Sequence, residues 1–148
     1  MQFSRRNRKL FPAGSTLALS KAIHDGAIIK WDTLTGSVVT LPPALGTGFR
    51  VRMIVTVLAT SNSHIVKVQN SIDVMRGIIH CLDSDLATVN MFGFVAGATA
   101  DTITLDRTNT GSVSLGEYVD IEDIAAGTWH VAGVLSGLAP ATPFSATV

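Results

Sequence analysis

Residues 36–68 read GSVVTLPPALGTGFRVRMIVTVLATSNSHIVKV and contain three runs that are typical of β-strands. Residues 49–57 alternate apolar side chains with others at period two, which indicates a strand with one face in a core. Pro42 and Pro43 cannot donate hydrogen bonds to a sheet, so they end the first run and make the chain cross over. A polar turn at residues 61–63 leads into the third run. The sequence predicts a sheet that is organised around this stretch.

The rest of the chain continues the β pattern. Strand-like runs follow at residues 26–32, 74–82 (bent at Gly77), 89–95, 101–105, 118–124 and 128–135, whereas residues 15–23 fit a short helix or an extended segment equally well. Eight or nine short strands separated by turns favour a sandwich, a jelly roll or a barrel. We therefore expect an all-β protein: one antiparallel β-sandwich or jelly-roll-like domain over residues 15–148, preceded by an extended N-terminal arm over residues 1–14.

The composition bounds the class of protein. Hydrophobic residues make up 47% of the chain and charged residues 15%, against roughly a quarter in typical soluble domains. A surface with so few charges is often covered by other subunits, so we expect an oligomer or a component of an assembly. No apolar run approaches the ~18–20 residues that span a bilayer, and the basic start lacks the apolar stretch of a signal peptide. These features predict no membrane partner. The single Cys81 cannot form an internal disulfide, which fits synthesis in the cytoplasm.

The charges are unevenly distributed along the chain. Arg5, Arg6, Arg8 and Lys9 are four of the eleven basic residues, and the remainder has seven basic against eleven acidic side chains, a net charge of −4. This pattern predicts a basic arm on a mildly acidic body, with Leu10 and Phe11 able to dock on an apolar surface. Its partner could be an acidic protein surface or nucleic acid. Four charges with few aromatic residues do not predict a domain that reads nucleic-acid sequence.

Residues that could carry catalysis are scattered. His24, His64, His80 and His130 have no metal-ligand spacing, the single Cys81 lies in an apolar run, and no Gly-x-Ser-x-Gly elbow occurs. Asp120, Glu122 and Asp123 lie close in sequence. Asp120 and Glu122 would project from one face of a strand, where a cation site competes with the simpler interpretation as the solvent-exposed side of a sheet. The sequence predicts no catalytic residues, no metal and no cofactor, and hence no enzyme.

Four residues are candidates for contacts between subunits. Arg50 and Arg52 project together from the outer face of the central strand, where they could pair with the acids at 120–123 across strands or across a subunit boundary. Trp31 and Trp129 are large enough to anchor either a core or an interface. Apolar residues such as Ile54, Val134 and Leu138 could lie at the same boundaries.

Several of these motifs resemble a known family. The run from Gly36 to Val57 is similar to small virion proteins of tailed bacteriophages, and so are residues 60–64, 73–77, 127–133 and 142–145. The resemblance covers about residues 25–146 and leaves out the N-terminal arm. It implies a capsid decoration, or cement, protein: mostly β, commonly trimeric, and bound to the outside of the shell where capsomers meet.

The resemblance sets the functional expectation. It implies a structural protein of the virion exterior that binds the major capsid protein as a homo-oligomer, commonly a trimer, and stabilises the shell by bridging capsomers. The arm would then bind the capsid through Arg5, Arg6, Arg8, Lys9, Leu10 and Phe11. Two alternatives come from other classes: a receptor- or glycan-binding module of a tail or head fibre, and a small cupin-like metal enzyme.

Overall fold

The computed structural model describes residues 8–85, 88 and 90–148. The regular secondary structure of the described chain consists almost entirely of short strands. They are β1 (Leu10–Pro12), β2 (Thr16–Ala18), β3 (Ile28–Trp31), β4 (Ser37–Thr40), β5 (Arg50–Val55), β6 (His64–Lys67), β7 (Val74–Asp83), β8 (Asn90–Val95), β9 (Thr102–Leu105), β10 (Tyr118–Ala125), β11 (Thr128–Gly137) and β12 (Phe144–Ser145), with one helical turn, α1 (Lys21–His24). The all-β class is confirmed, and the ambiguous segment at residues 15–23 contains both a strand and a helical turn.

The strands form two sheets. The large sheet has the order β1-β3-β5-β10-β11-β7-β8 and the small sheet the order β12-β9-β6-β4-β2. Five of the ten strand pairings in the described chain are parallel, among them the ten-residue pairing of β7 with β11. The predicted antiparallel arrangement is therefore wrong, because both sheets are mixed.

The parallel pairs arise from the path of the first six strands. Odd-numbered strands β1, β3 and β5 enter the large sheet, and even-numbered strands β2, β4 and β6 enter the small one. A chain that changes sheets after every strand returns to each sheet in the same direction, so its neighbours there are parallel. The predicted crossover at Pro42 and Pro43 is confirmed, since these residues connect β4 of the small sheet to β5 of the large one.

One hydrophobic cluster joins the inner faces of both sheets. It includes Val51, Met53 and Val55 of β5, which alternate with exposed or half-buried neighbours as their period-two pattern predicts. Trp31 and Trp129 are its largest members, and both are 0% exposed. The interpretation of these indoles as contacts between subunits is therefore wrong: both fill the interior of one chain.

The N-terminal segment is part of the large sheet where the structure describes it. Leu10–Pro12 pair in parallel with Ile28–Lys30, and Ala13 is buried. A proline is tolerated in β1 because this strand lies at the edge of the sheet, where one side needs no donor. Residues 8–14 thus belong to the body instead of a separate arm, whereas Arg5 and Arg6 lie outside the described residues.

Buried carboxylates hold the loops between strands. Asp123, at the inner face of β10, accepts hydrogen bonds from the backbone amides of Leu45, Gly46 and Thr47 and from the Thr47 hydroxyl. In the same way Glu117 accepts the amides of residues 112–114 and the hydroxyl of Ser136. Loops without regular secondary structure thereby gain partners for their amides, which would otherwise be buried unpaired.

Candidate interaction surface

The outer face of the large sheet, which points away from the small sheet, carries most of the predicted surface residues. Alternation puts every second residue of each strand on this face, and the strand register aligns these residues into rows. The central row across the sheet is Leu10, Ile28, Arg52, Asp120, Ala132, Ile78 and Val95. The rows beside it are Pro12, Lys30, Ile54, Tyr118, Val134 and His80, and Arg50, Glu122, His130 and Arg76. We call these three rows the outer face.

A bidentate ion pair lies at the centre of the outer face. Arg52 donates from Nε and Nη2 to the two carboxylate oxygens of Asp120, both at 2.7 Å. The guanidinium also lies 4.2 Å from the ring centroid of Tyr118. Hydrogen bonding to Asp120 raises the pKa of Arg52. The sequence-based expectation that Arg52 pairs with an acid across strands is confirmed, and such fork-to-fork pairing fixes both side chains in one geometry.

A second arginine and a second acid lie one step further along the same strands. Arg50 is directly opposite Glu122 in the register of β5 and β10, but neither forms an ion pair with a described residue. Together with Arg8, Arg52 and His130 they line a shallow groove of about 530 Å³. The side of the groove near β1 is fixed, because Arg8 donates to the carbonyls of Gly26 and Ala27.

The edge strand β8 forms an apolar border to this face. Residues 90–95 carry no charge, and Met91 and Val95 are 63% and 70% exposed. Phe92 of β8 and Ile78 of β7 are also exposed. Sheet edges are usually protected by charged side chains, prolines or covering loops, so an uncharged apolar edge of this kind is a candidate surface for contact with another protein.

The predicted capsid-binding residues are placed differently from one another. Arg8 binds backbone carbonyls of its own chain, Lys9 and Leu10 are exposed, and Phe11 packs against the core beside His24 at a ring distance of 4.6 Å. Among the predicted subunit contacts, the structure leaves Arg50 and Arg52 on the surface and buries both tryptophans. Sequence reasoning missed Met91 and Phe92 as surface residues. The signal that could have found them is the absence of any charge between residues 86 and 95.

The remaining candidates for chemistry do not come together. Within the described ranges, no group of three or more His, Cys, Asp and Glu side chains could hold a metal ion. Asp123 is separated from Asp120 and Glu122, since it points into the interior toward the loop at residues 45–47. Burial lowers the pKa of His64, which stacks on Trp31 and contacts the Val57 carbonyl, and raises the pKa of Cys81 to about 11. These two groups are interior packing groups.

Comparisons with known proteins add no family to this picture. In the part of the chain that the structure covers, no helical segment has the length and the apolar character that crossing a bilayer requires. A scan against family models, a search of curated proteins and a search of solved structures each return no match.

Proposed function

We propose that this protein is a structural component of a tailed-phage virion that binds the outside of the capsid. In this proposal it acts as a homo-oligomer, a trimer, whose two mixed sheets form a sandwich, and it stabilises the shell by bridging copies of the major capsid protein. The sequence resemblance supplies the class of assembly. The structural observation that carries the proposal is the uncharged, exposed edge strand β8 beside the outer face.

The physical argument concerns how such a surface is used. An exposed sheet edge offers unpaired backbone groups, and an extended segment of another protein can add to it as a further strand. A protein that binds only the assembled shell stabilises that shell by mass action, without chemistry. Loops fixed by Asp123 and Glu117 suit this role because a rigid body loses little conformational entropy when it binds.

The fibre-module alternative receives less support. Glycan-binding surfaces use exposed aromatic rings, and both tryptophans are fully buried. We therefore propose no second function.

Locating the protein in purified particles tests the proposal. We expect it on heads, in many copies per particle, and we expect capsids that carry it to withstand heat or low ionic strength better than capsids stripped of it. Its absence from particles, or a handful of copies on tails, would refute the proposal. Replacing Met91 and Val95 by lysine should lower capsid occupancy, whereas Lys67→Glu on the opposite sheet should not.

The contribution of the basic N-terminus requires a separate variant. Deleting residues 1–7 leaves β1 and the Arg8 contacts in place, so the sheet stays intact. We expect reduced occupancy if Arg5 and Arg6 contact an acidic capsid surface. Full occupancy of the truncated protein would refute the role of the arm and leave binding through the body unaffected.

A further inference from the structure

The charges at the centre of the outer face form a two-fold pattern. Strands β5 and β10 are neighbours, and their register sets Arg52 opposite Asp120 and Arg50 opposite Glu122. All the basic members of these pairs lie on β5 and all the acidic members on β10. Consider a two-fold axis that lies just above the outer face, runs parallel to the strands and passes midway between β5 and β10. Rotation by 180° about this axis generates a second copy that faces the first and has the positions of β5 and β10 exchanged. A second copy stacked on the face would then have each acid above an arginine.

The apolar residues of the central row on either side obey the same symmetry, whereas in the adjacent row Lys30 lies over Val134. The rotation that exchanges β5 with β10 also exchanges β3 with β11 and β1 with β7. In the central row it sets Leu10 over Ile78 and Ile28 over Ala132, and in the adjacent row Ile54 over Tyr118. Leu10 and Ile78 are 61% and 46% exposed in the single chain, so this contact would remove two apolar side chains of each copy from water.

We infer that the outer face binds a second copy of this chain in an isologous, two-fold contact. Arg50 of each copy pairs with Glu122 of the other, and the two Arg52–Asp120 pairs join into one four-membered network. The inference goes beyond the proposed trimer, because it adds a two-fold contact through a different surface, and it does not depend on capsid binding. Its particular observation is that Arg50 and Glu122, although opposite in register, form no ion pair with a described residue of their own chain.

The dimensions of the face are sufficient for this contact. The six strands from β1 to β7 cover about 29 Å at ~4.8 Å per strand, and three rows of alternate residues, the shortest of which crosses four strands, cover about 20 Å. The resulting area, on the order of 500 Å² on each copy, lies near the lower limit for a specific interface. Sheets stacked face to face lie about 10 Å apart, and the groove of about 530 Å³ that Arg50 and Glu122 line leaves room for their side chains.

A two-fold contact has a definite consequence for the assembly. It joins molecules in pairs, so each oligomer in solution contains an even number of chains. That number is two, or six if trimers form through other surfaces. Val95 of β8 has no counterpart in the symmetric pattern, since the central row extends one strand further on that side. The edge strand β8 therefore stays accessible to a different partner.

Charge reversal at the unpaired positions tests the contact. The Arg50→Glu variant sets two carboxylates against each other at both contacts of the pair, and the Glu122→Arg variant sets two guanidinium groups against each other. Each variant should therefore self-associate at least about tenfold more weakly. An equimolar mixture of the two variants restores opposite charges across the interface and should form a mixed pair. The control Lys67→Glu makes the same kind of charge reversal on the small sheet and should behave as wild type.

The measurement is mass by sedimentation or light scattering over a concentration series, with thermal unfolding to verify the fold of each variant. The inference is supported if wild-type oligomers contain an even number of chains, if either variant alone associates more weakly, and if the mixture of the two variants restores association. The inference would be overturned if the wild-type protein formed only monomers or only trimers, or if the variants associated as strongly as the wild type. Capsid occupancy of the Arg50→Glu variant separates the two proposals. If this variant self-associates as the wild type does and also occupies capsids normally, the two-fold contact is refuted and the capsid proposal is not.

Discussion

The ammonium group of Lys21 lies 2.7 Å from a carboxylate oxygen of Asp123, 102 residues further along the chain. Lys21 belongs to the helical turn between the first strands, and Asp123 ends the regular part of β10. The same carboxylate binds the amides at residues 45–47, so one buried side chain joins three distant segments. Removing it should therefore affect the whole fold.

The first prediction concerns Asp123→Asn. The asparagine amide would present N–H groups to the backbone amides of Leu45 and Gly46 and would leave the Lys21 charge without its partner. We expect the free energy of unfolding to fall by about 3 kcal/mol, as for other buried groups deprived of a charged partner. Urea unfolding measures this change. The exposed Asp85→Asn is the matched control and should change stability by less than about 0.5 kcal/mol; equal effects of both variants would contradict the prediction.

The second prediction concerns acid. Burial alone would raise the pKa of Asp123 and of Asp106, but hydrogen bonds outweigh burial and leave both pKa values below the ordinary range. A carboxylate with a lowered pKa in the folded state stabilises the fold above its unfolded pKa of about 4, and this contribution is lost as the pH falls further. The melting temperature should therefore decline steeply below about pH 4. Asp123→Asn should flatten that decline, and an unchanged slope would show that other groups cause it.

The third prediction concerns Gly77 in β7. Its φ angle is +142°, and a Cβ added there would overlap the carbonyl oxygen of Val131 in the adjacent β11. Gly77→Ala should separate the two longest strands and leave the protein largely insoluble or unfolded, as judged by expression and circular dichroism. Gly93→Ala on β8 is the control, because the nearest atom outside its own segment lies at an ordinary 3.7 Å, on Ile78. A soluble, stable Gly77→Ala protein would contradict this account.

The fourth prediction concerns the thiol of Cys81. It is 0% exposed, and burial raises its pKa to about 11, so very little thiolate exists near neutral pH. A disulfide reagent should leave the native protein unmodified for as long as the fold persists. In denaturing urea the same reagent should modify one thiol per chain within minutes. Rapid modification under native conditions would contradict the burial of Cys81.

Alternation in the sequence predicted the strands but not their partners. Residues 49–57 correctly assigned Val51 and Met53 to the interior and Arg52 to the surface, and hence the pairing of Arg52 with an acid. The direction of pairing was missed, since a period-two pattern is the same in parallel and antiparallel sheets. Only the path of the chain between the two sheets decides it.

The site residues were predicted less completely, for two physical reasons. A tryptophan in a strand suits a core as well as an interface, and only the second sheet decides between them for Trp31 and Trp129. Asp123 was noted only for its proximity in sequence to Asp120 and Glu122, and no structural role was predicted for it. Asp123 is two residues from Ile121 and four from Val119, so alternation along the strand already places it on the same inner side. A buried carboxylate there needs several hydrogen-bond donors.

The parallel pairing of β7 with β11 also governs the order in which the chain can fold during translation. Strand β7 ends at Asp83, but its partner begins only at Thr128. At the ribosomal rate of about 5–20 residues per second, the interval lasts several seconds. During that time β7 can pair with β8 but not with β11, so the large sheet cannot be completed until most of the chain has been synthesised.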